Sequence, residues 1–110
     1  IQTKINYSYL PKSVNEVKKI LKEYLCHQSP KKEFLMMLLN EVKEIFKKES
    51  NVLMISEVKN NESLIVVGDL HGDLEDLDTV FRKGGWPSEK NRYIFNGDFV
   101  DRGDSGVEVL

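Results

Sequence analysis

The sequence predicts an α/β fold in which N-terminal helices lead into the first βαβ unit of a sheet core. Three observations carry that expectation. Two short apolar segments, Leu64–Val67 and Tyr93–Phe95, are each followed by the dipeptide Gly-Asp, the second after Asn96. Between them lies a stretch with helical periodicity, the crossover that parallel strands require. Before them, two further stretches repeat apolar residues at helical spacing. The 110 residues suit one domain and hardly two. Within them, residues 1–50 read as a helical segment leading into the core, and residues 51–110 as the first part of that core.

Ser13-Val14-Asn15-Glu16 has the spacing of a capping box and opens the first helix, with Val14, Val17, Leu21, Tyr24 and Leu25 along one face. Ser29-Pro30 supplies a second start, Ser as N-cap and Pro in the first turn. Leu35, Leu38, Leu39, Val42, Ile45 and Phe46 carry this helix to about Lys48 and, with Met36 and Met37, are expected in the core. Val52–Val58 and Leu64–Val67, separated by Asn60-Asn61, suggest a hairpin. Leu64-Ile65-Val66-Val67 is apolar at consecutive positions, as expected of a strand buried on both faces. Asp73 can cap a third helix with Leu74, Leu77, Val80 and Phe81 on one face, stopped by Gly84-Gly85. Tyr93–Phe95 forms the next strand, stopped at Asn96-Gly97. Ser105-Gly106-Val107-Glu108 again has capping-box spacing, and the chain stops within the first turns of the helix it opens. With Ile rather than Met at position 1, the sequence is expected to be a piece of a longer chain.

Composition narrows the function. Residues 1–62 hold 11 Lys and 8 Glu, a +3 excess too small to argue for nucleic acid. The longest apolar run, Phe34–Leu39, is far short of the roughly 20 residues of a membrane span. One cysteine, Cys26, excludes an internal disulfide framework and favours a reducing compartment. With no segment read as a signal peptide, a cytoplasmic location is expected, with the nucleus also open. All seven glycines and all seven aspartates, by contrast, fall between Gly68 and Gly106. Glycine permits tight turns, and aspartate is a hard oxygen ligand for divalent cations.

If the two strands are parallel neighbours, both Gly-Asp loops leave the same carboxyl edge of the sheet, where ligands bind in open α/β folds. Asp69 and Asp98 then approach closely, and a cation is needed to offset their repulsion. His71 adds an imidazole donor suited to zinc, iron or manganese. Arg102 adds a planar fork that fits phosphate. A lone Asp-x-His, Gly-Asp or Asp-Arg-Gly is common in turns and surface pairs. Two strand-ending Gly-Asp motifs one helix apart, one with His and one with Asp-Arg-Gly, point to a metal site for a phosphate ester. Asp73, Asp76 and Asp78 read as helix N-terminal charges. Asp104 belongs to the turn before the last helix, and Cys26 and His27 lack partner ligands and read as structural. No dinucleotide fingerprint, P-loop or EF-hand pattern is present.

Gly68-Asp69-Leu70-His71-Gly72 and Gly97-Asp98-Phe99-Val100-Asp101-Arg102-Gly103 resemble the first two signature motifs of the phosphoprotein phosphatase family of serine/threonine phosphatases. The resemblance is strongest over Leu64–Leu110. The helical segment Val14–Lys48, Val52–Val58 and Trp86-Pro87-Ser88-Glu89 are similar to the type 5 and EF-hand-containing branches. The resemblance implies a calcineurin-like metallophosphoesterase fold, a β-sandwich core flanked by helices, of which this chain holds an incomplete domain. It implies two divalent metal ions, manganese first and iron or zinc as alternatives. Asp69 and His71 would bind the first and Asp98 would bridge both. Asp101 would orient a general-acid histidine, and Arg102 would hold the substrate phosphate. The activity implied is hydrolysis of phosphoserine and phosphothreonine by hydroxide activated between the metals, on phosphoprotein substrates and with regulatory proteins or domains outside this sequence. The Gly-Asn-His-Glu motif and two later metal-binding histidines of the family are absent, so the 110 residues alone are expected to be inactive. A small-molecule or nucleotide phosphoesterase of the same superfamily and a noncatalytic interaction module are the competing readings.

Overall fold

The computed structural model describes residues 11–110. Its elements are α1 (Val14–Leu25), α2 (Lys32–Phe46), β1 (Ser63–Val67), α3 (Leu74–Gly84), β2 (Asn91–Phe95) and α4 (Gly106–Val109). The βαβ unit forms as the sequence predicts. β1 and β2 are parallel neighbours in register from Ser63↔Asn91 to Val67↔Phe95, and α3 is the crossover.

Local chemistry sets the ends of α1 and α3. Ser13 Oγ accepts the Glu16 N–H at 3.3 Å, but the Glu16 carboxylate takes the Lys12 N–H at 2.6 Å rather than that of Ser13. The reciprocal half of the capping box is thus displaced by one residue. Asp73 Oδ1 accepts the Asp76 N–H at 2.9 Å and caps α3. Gly85, at φ 80, ends it, in a conformation that glycine adopts without a Cβ clash. The α3–β2 corner is clamped by side chains: Tyr93 Oη donates to the Gly85 carbonyl at 2.6 Å, and Asn91 Nδ2 donates to the Gly84 and Trp86 carbonyls at 2.9 and 3.0 Å.

The buried core is Leu21, Val67, Leu70, Leu74 and Leu77. It joins α1, the end of β1 and the inward face of α3. An aromatic layer packs against it. The Phe81 and Trp86 rings stack at 4.6 Å, Tyr93 meets Phe81 edge-on at 5.6 Å, and Phe95 lies 5.8 Å from Tyr93. Lys18 Nζ sits 5.3 Å over the Trp86 ring, tying α1 to the loop after α3.

Four expectations are corrected. α2 begins at Lys32 with Lys31 as an extended N-cap and no side-chain cap, so Ser29 and half-buried Pro30 precede the helix rather than open it. α2 adds no residue to the core; Met36, Leu39, Ile45 and Phe46 are exposed, since among the described residues no layer covers that face. Val66 is 67 % exposed, so β1 is covered on one face only, with Ile65 and Val67 inward. Val52–Val58 forms no strand. The turn at Asn60-Asn61 is present, closed by Glu62 N–H to the Lys59 carbonyl at 2.9 Å. The segment before it is moored by Arg92, which donates to Ser56 Oγ at 2.9 Å and to the Ser56 carbonyl at 3.2 Å while pairing with Glu62 at 3.6 Å. The fourth helix does start after Ser105, though without a bond from the Ser105 side chain.

Because Leu77 is where α3 enters the core, Leu77→Ala should destabilise the chain by roughly 2–5 kcal/mol, the cost of lost burial and an unfilled cavity. Urea denaturation followed by circular dichroism measures it. An unchanged midpoint would mean that α3 is not held by this contact.

Candidate metal centre

Both Gly-Asp loops leave the carboxyl edge of the sheet and are laced together through their backbones. The Asp98 carbonyl accepts the N–H groups of Leu70 and His71 at 3.0 and 2.8 Å. Gly72 N–H donates to the Phe99 carbonyl at 2.8 Å, Gly103 N–H to that of His71 at 2.8 Å, and Ser105 N–H to that of Gly72 at 3.0 Å. Two loops far apart in sequence therefore behave as one rigid edge.

That lacing holds an unusual set of backbone conformations. The non-glycine residues with positive φ are His27 (64°), His71 (46°), Asp98 (52°), Asp101 (71°) and Arg102 (67°) among the described residues. Four of the five are site residues expected from the sequence. His and Asp tolerate the left-handed region better than most side chains, but Arg does not share that advantage. Such conformations persist where the surroundings over-determine them, and they cluster at functional sites. The Arg102 N–H is held by the carboxylate of Asp101 at 3.0 Å, a local support for its backbone.

The structure brings three of the expected residues together. Ligand atoms of Asp69, His71 and Asp98 all lie within 4.8 Å of one another, with His71 Nε2 3.5 Å from Asp69 Oδ2. His71 Nδ1 lies 3.0 Å from the Val100 carbonyl. A carbonyl can only accept, so Nδ1 carries a proton and the ring is oriented with Nε2 toward Asp69. An imidazole whose far nitrogen donates to a backbone carbonyl is how metal-binding histidines are oriented. Two carboxylates and an imidazole nitrogen converging on one point are the donor set of a divalent cation. The residues present fit a metal.

Arg102 shares an open cavity of about 670 Å³ with Asp69 and His71. Asp98 and Asp101 do not line it, and Asp101 lies outside the three-residue cluster. One wall of the cavity comes from the end of α1, through Tyr24, Leu25 and His27. Sequence reasoning missed this wall, since it sought ligand spacing, and only tertiary packing brings α1 here. Burial first, then the Glu108 and Glu23 carboxylates, push the Tyr24 hydroxyl above its usual value, so it stays protonated.

Residues 63–110 match the calcineurin-like phosphoesterase family. Over this stretch the chain is similar to that family, and the fold is the α/β one of that family. The chain is homologous to serine/threonine protein phosphatases. It is 38% identical over 100 residues to "Serine/threonine-protein phosphatase with EF-hands 1" of Rattus norvegicus, covering 91% of this chain and 16% of that protein. It is 39% identical over 98 residues to "Serine/threonine-protein phosphatase 5" of Homo sapiens, covering 89% and 19%. With "Serine/threonine-protein phosphatase rdgC" of Drosophila melanogaster it shares 44% over 78 residues, covering 71% and 12%. The chain thus spans less than a fifth of the length of these relatives. No helix among the described residues is long and apolar enough to cross a membrane.

Gly103 is where the loops touch most closely. A Cβ there would meet the carbonyl oxygens of His71 and Gly72, both backbone atoms that cannot swing away. Gly103→Ala should therefore cost about 1–3 kcal/mol of stability and separate the loops. Calorimetric titration with Mn²⁺ should show weaker binding than the parent. Parent-like affinity would show that the lacing does not hold the donors.

Proposed function

We propose that this chain supplies the first metal-binding half and the phosphate-binding arginine of a protein serine/threonine phosphatase. The observation that carries the reading is the convergence of Asp69, His71 and Asp98 within 4.8 Å on a loop edge whose cavity also holds Arg102. Homology to named serine/threonine phosphatases supports phosphoserine and phosphothreonine as the substrates.

Asp69 and His71 would hold one divalent ion, and Asp98 would be shared with a second. Manganese is our first candidate, with iron or zinc as the alternatives. When bound, such ions lower the pKa of water and neutralise a phosphate. The chain's own residues do the rest of the positioning. His71 is aimed with Nε2 toward the cluster because its other nitrogen donates to the Val100 carbonyl. Arg102 offers a bidentate fork to two phosphate oxygens and fixes the phosphorus against the cluster. Its charge also stabilises the extra negative charge of an in-line displacement, in a geometry set before the substrate arrives. Asp101 would orient a histidine, supplied elsewhere in the complete polypeptide, that protonates the departing seryl or threonyl oxygen. Phosphoproteins are then the substrates, regulatory proteins or domains lie outside these residues, and the cytoplasm or nucleus is the place of action.

In the complete polypeptide, Arg102→Ala should lower kcat/KM on a phosphoserine peptide by about 10²–10³, the range for removing one aimed transition-state donor. Metal content by mass spectrometry should be unchanged, and metal loss would move Arg102 from the phosphate to the metal site. Asp98→Asn should lose metal and turnover together. The 110-residue chain by itself should show no turnover with Mn²⁺, since its cluster holds three donor residues and no leaving-group acid. Turnover that Asp98→Asn abolishes would show these residues to be sufficient.

A further inference from the structure

We infer that His27 is a substrate-contacting residue that binds the peptide flanking the phosphoresidue rather than the phosphate itself. The inference rests on the phosphatase reading above and extends it to specificity. α1 ends in a Schellman turn: Gln28 N–H donates to the Glu23 carbonyl at 3.1 Å and His27 N–H to that of Tyr24 at 2.9 Å. His27 is the left-handed residue of that turn, at φ 64°, the position where glycine is usual because it has no Cβ to clash. A helix end alone is better served by glycine or asparagine, so the histidine is accounted for by its side chain.

That side chain is exposed and lines the cavity shared by Asp69, His71 and Arg102. Unlike the ring of His71, which is engaged by Val100 and Asp69, the His27 imidazole makes no hydrogen bond or ion pair within the described residues. The rest of the cavity explains what it would bind. Asp73, Glu75, Asp76 and Asp104 line it with carboxylates, which repel substrate oxygens. Arg102 serves the phosphate and His71 the metal. The α1 wall, with the ring of Tyr24, the aliphatic Leu25 and the imidazole of His27, faces the site from a different element. Apolar surface carrying the His27 N–H and the Tyr24 hydroxyl as donors suits an extended peptide, whose carbonyl oxygens need a donor and whose side chains need a non-polar face.

The test compares wild type with His27→Gly and His27→Asn in the complete polypeptide, on a phosphoserine peptide and on p-nitrophenyl phosphate. Both replacements suit a left-handed backbone, so both should fold with Tm at or above the parent's. We expect KM for the peptide to rise about 3- to 10-fold, the range for one lost hydrogen bond, with kcat, metal content and KM for p-nitrophenyl phosphate unchanged. Unchanged peptide KM in both variants, or an equal rise on both substrates, overturns the assignment. A wild type that hydrolyses p-nitrophenyl phosphate but no phosphopeptide instead overturns the phosphatase reading on which the assignment rests.

Discussion

The Asp98 carbonyl accepts two N–H groups, those of Leu70 and His71, and the geometry of the site hangs on that contact. It joins the loop after β1 to the loop after β2 at the point where both leave the sheet. It forms only because β1 and β2 are parallel and in register, which places Val67 beside Phe95 and lets the chains run on together. The register in turn rests on α3, whose length returns the chain to the same edge and whose Leu74 and Leu77 anchor it in the core. Burial of a few leucines is thus converted into the placement of carboxylates and an imidazole about 30 positions apart in the chain.

Four site residues with positive φ would be costly in an isolated loop, of the order of 1–3 kcal/mol each. Here each loop constrains the other. Gly103 donates to His71, and His71 returns a bond to Val100 through its side chain, so the backbone and the imidazole are fixed by the same partner loop. Arg102 is the most telling member, because arginine gains nothing from a left-handed backbone. Its neighbour Asp101 binds its N–H, which offsets part of that cost and leaves the guanidinium at the cavity. Gly72 is required for a different reason. A Cβ there would run into the Gly103 backbone at 2.8–3.0 Å, so the close approach of the loops excludes any larger residue.

Much of this was legible in the sequence because its signals were local. A Gly-Asp after an aliphatic strand, repeated one helix later, dictates the crossover, the shared edge and the meeting of Asp69, His71 and Asp98. Asp73 as a cap and Gly85 as a stop follow from single residues. What was not legible depended on tertiary context. The apolar periodicity of α2 reports a face that wants covering without saying what covers it, and Leu39 and Phe46 remain exposed. The aliphatic run Val52–Val58 has strand composition, yet a strand needs a ladder partner, and the partner it finds is the side chain of Arg92. His27 carried no spacing signal at all, because its relation to the site is made by packing α1 against α3 rather than by distance along the chain.

The charge around the cavity bears on what the proposed function would require of cations. Asp69, Asp73, Glu75, Asp76 and Asp104 line it against one guanidinium. A phosphomonoester carries close to two negative charges at neutral pH, and Arg102 alone cannot offset both these and the surrounding carboxylates. Salt would screen charges beyond about 8–10 Å, but the donor atoms here lie within 4.8 Å of one another. Under the proposed function, productive binding of a phosphate would therefore depend on cations at Asp69, His71 and Asp98 as much as on the arginine. The same carboxylates that repel a bare phosphate make the cluster attractive to divalent ions. The acidic lining would then raise selectivity: a phosphate would enter only a cation-loaded site, and anions that cannot reach both the cluster and Arg102 would be turned away.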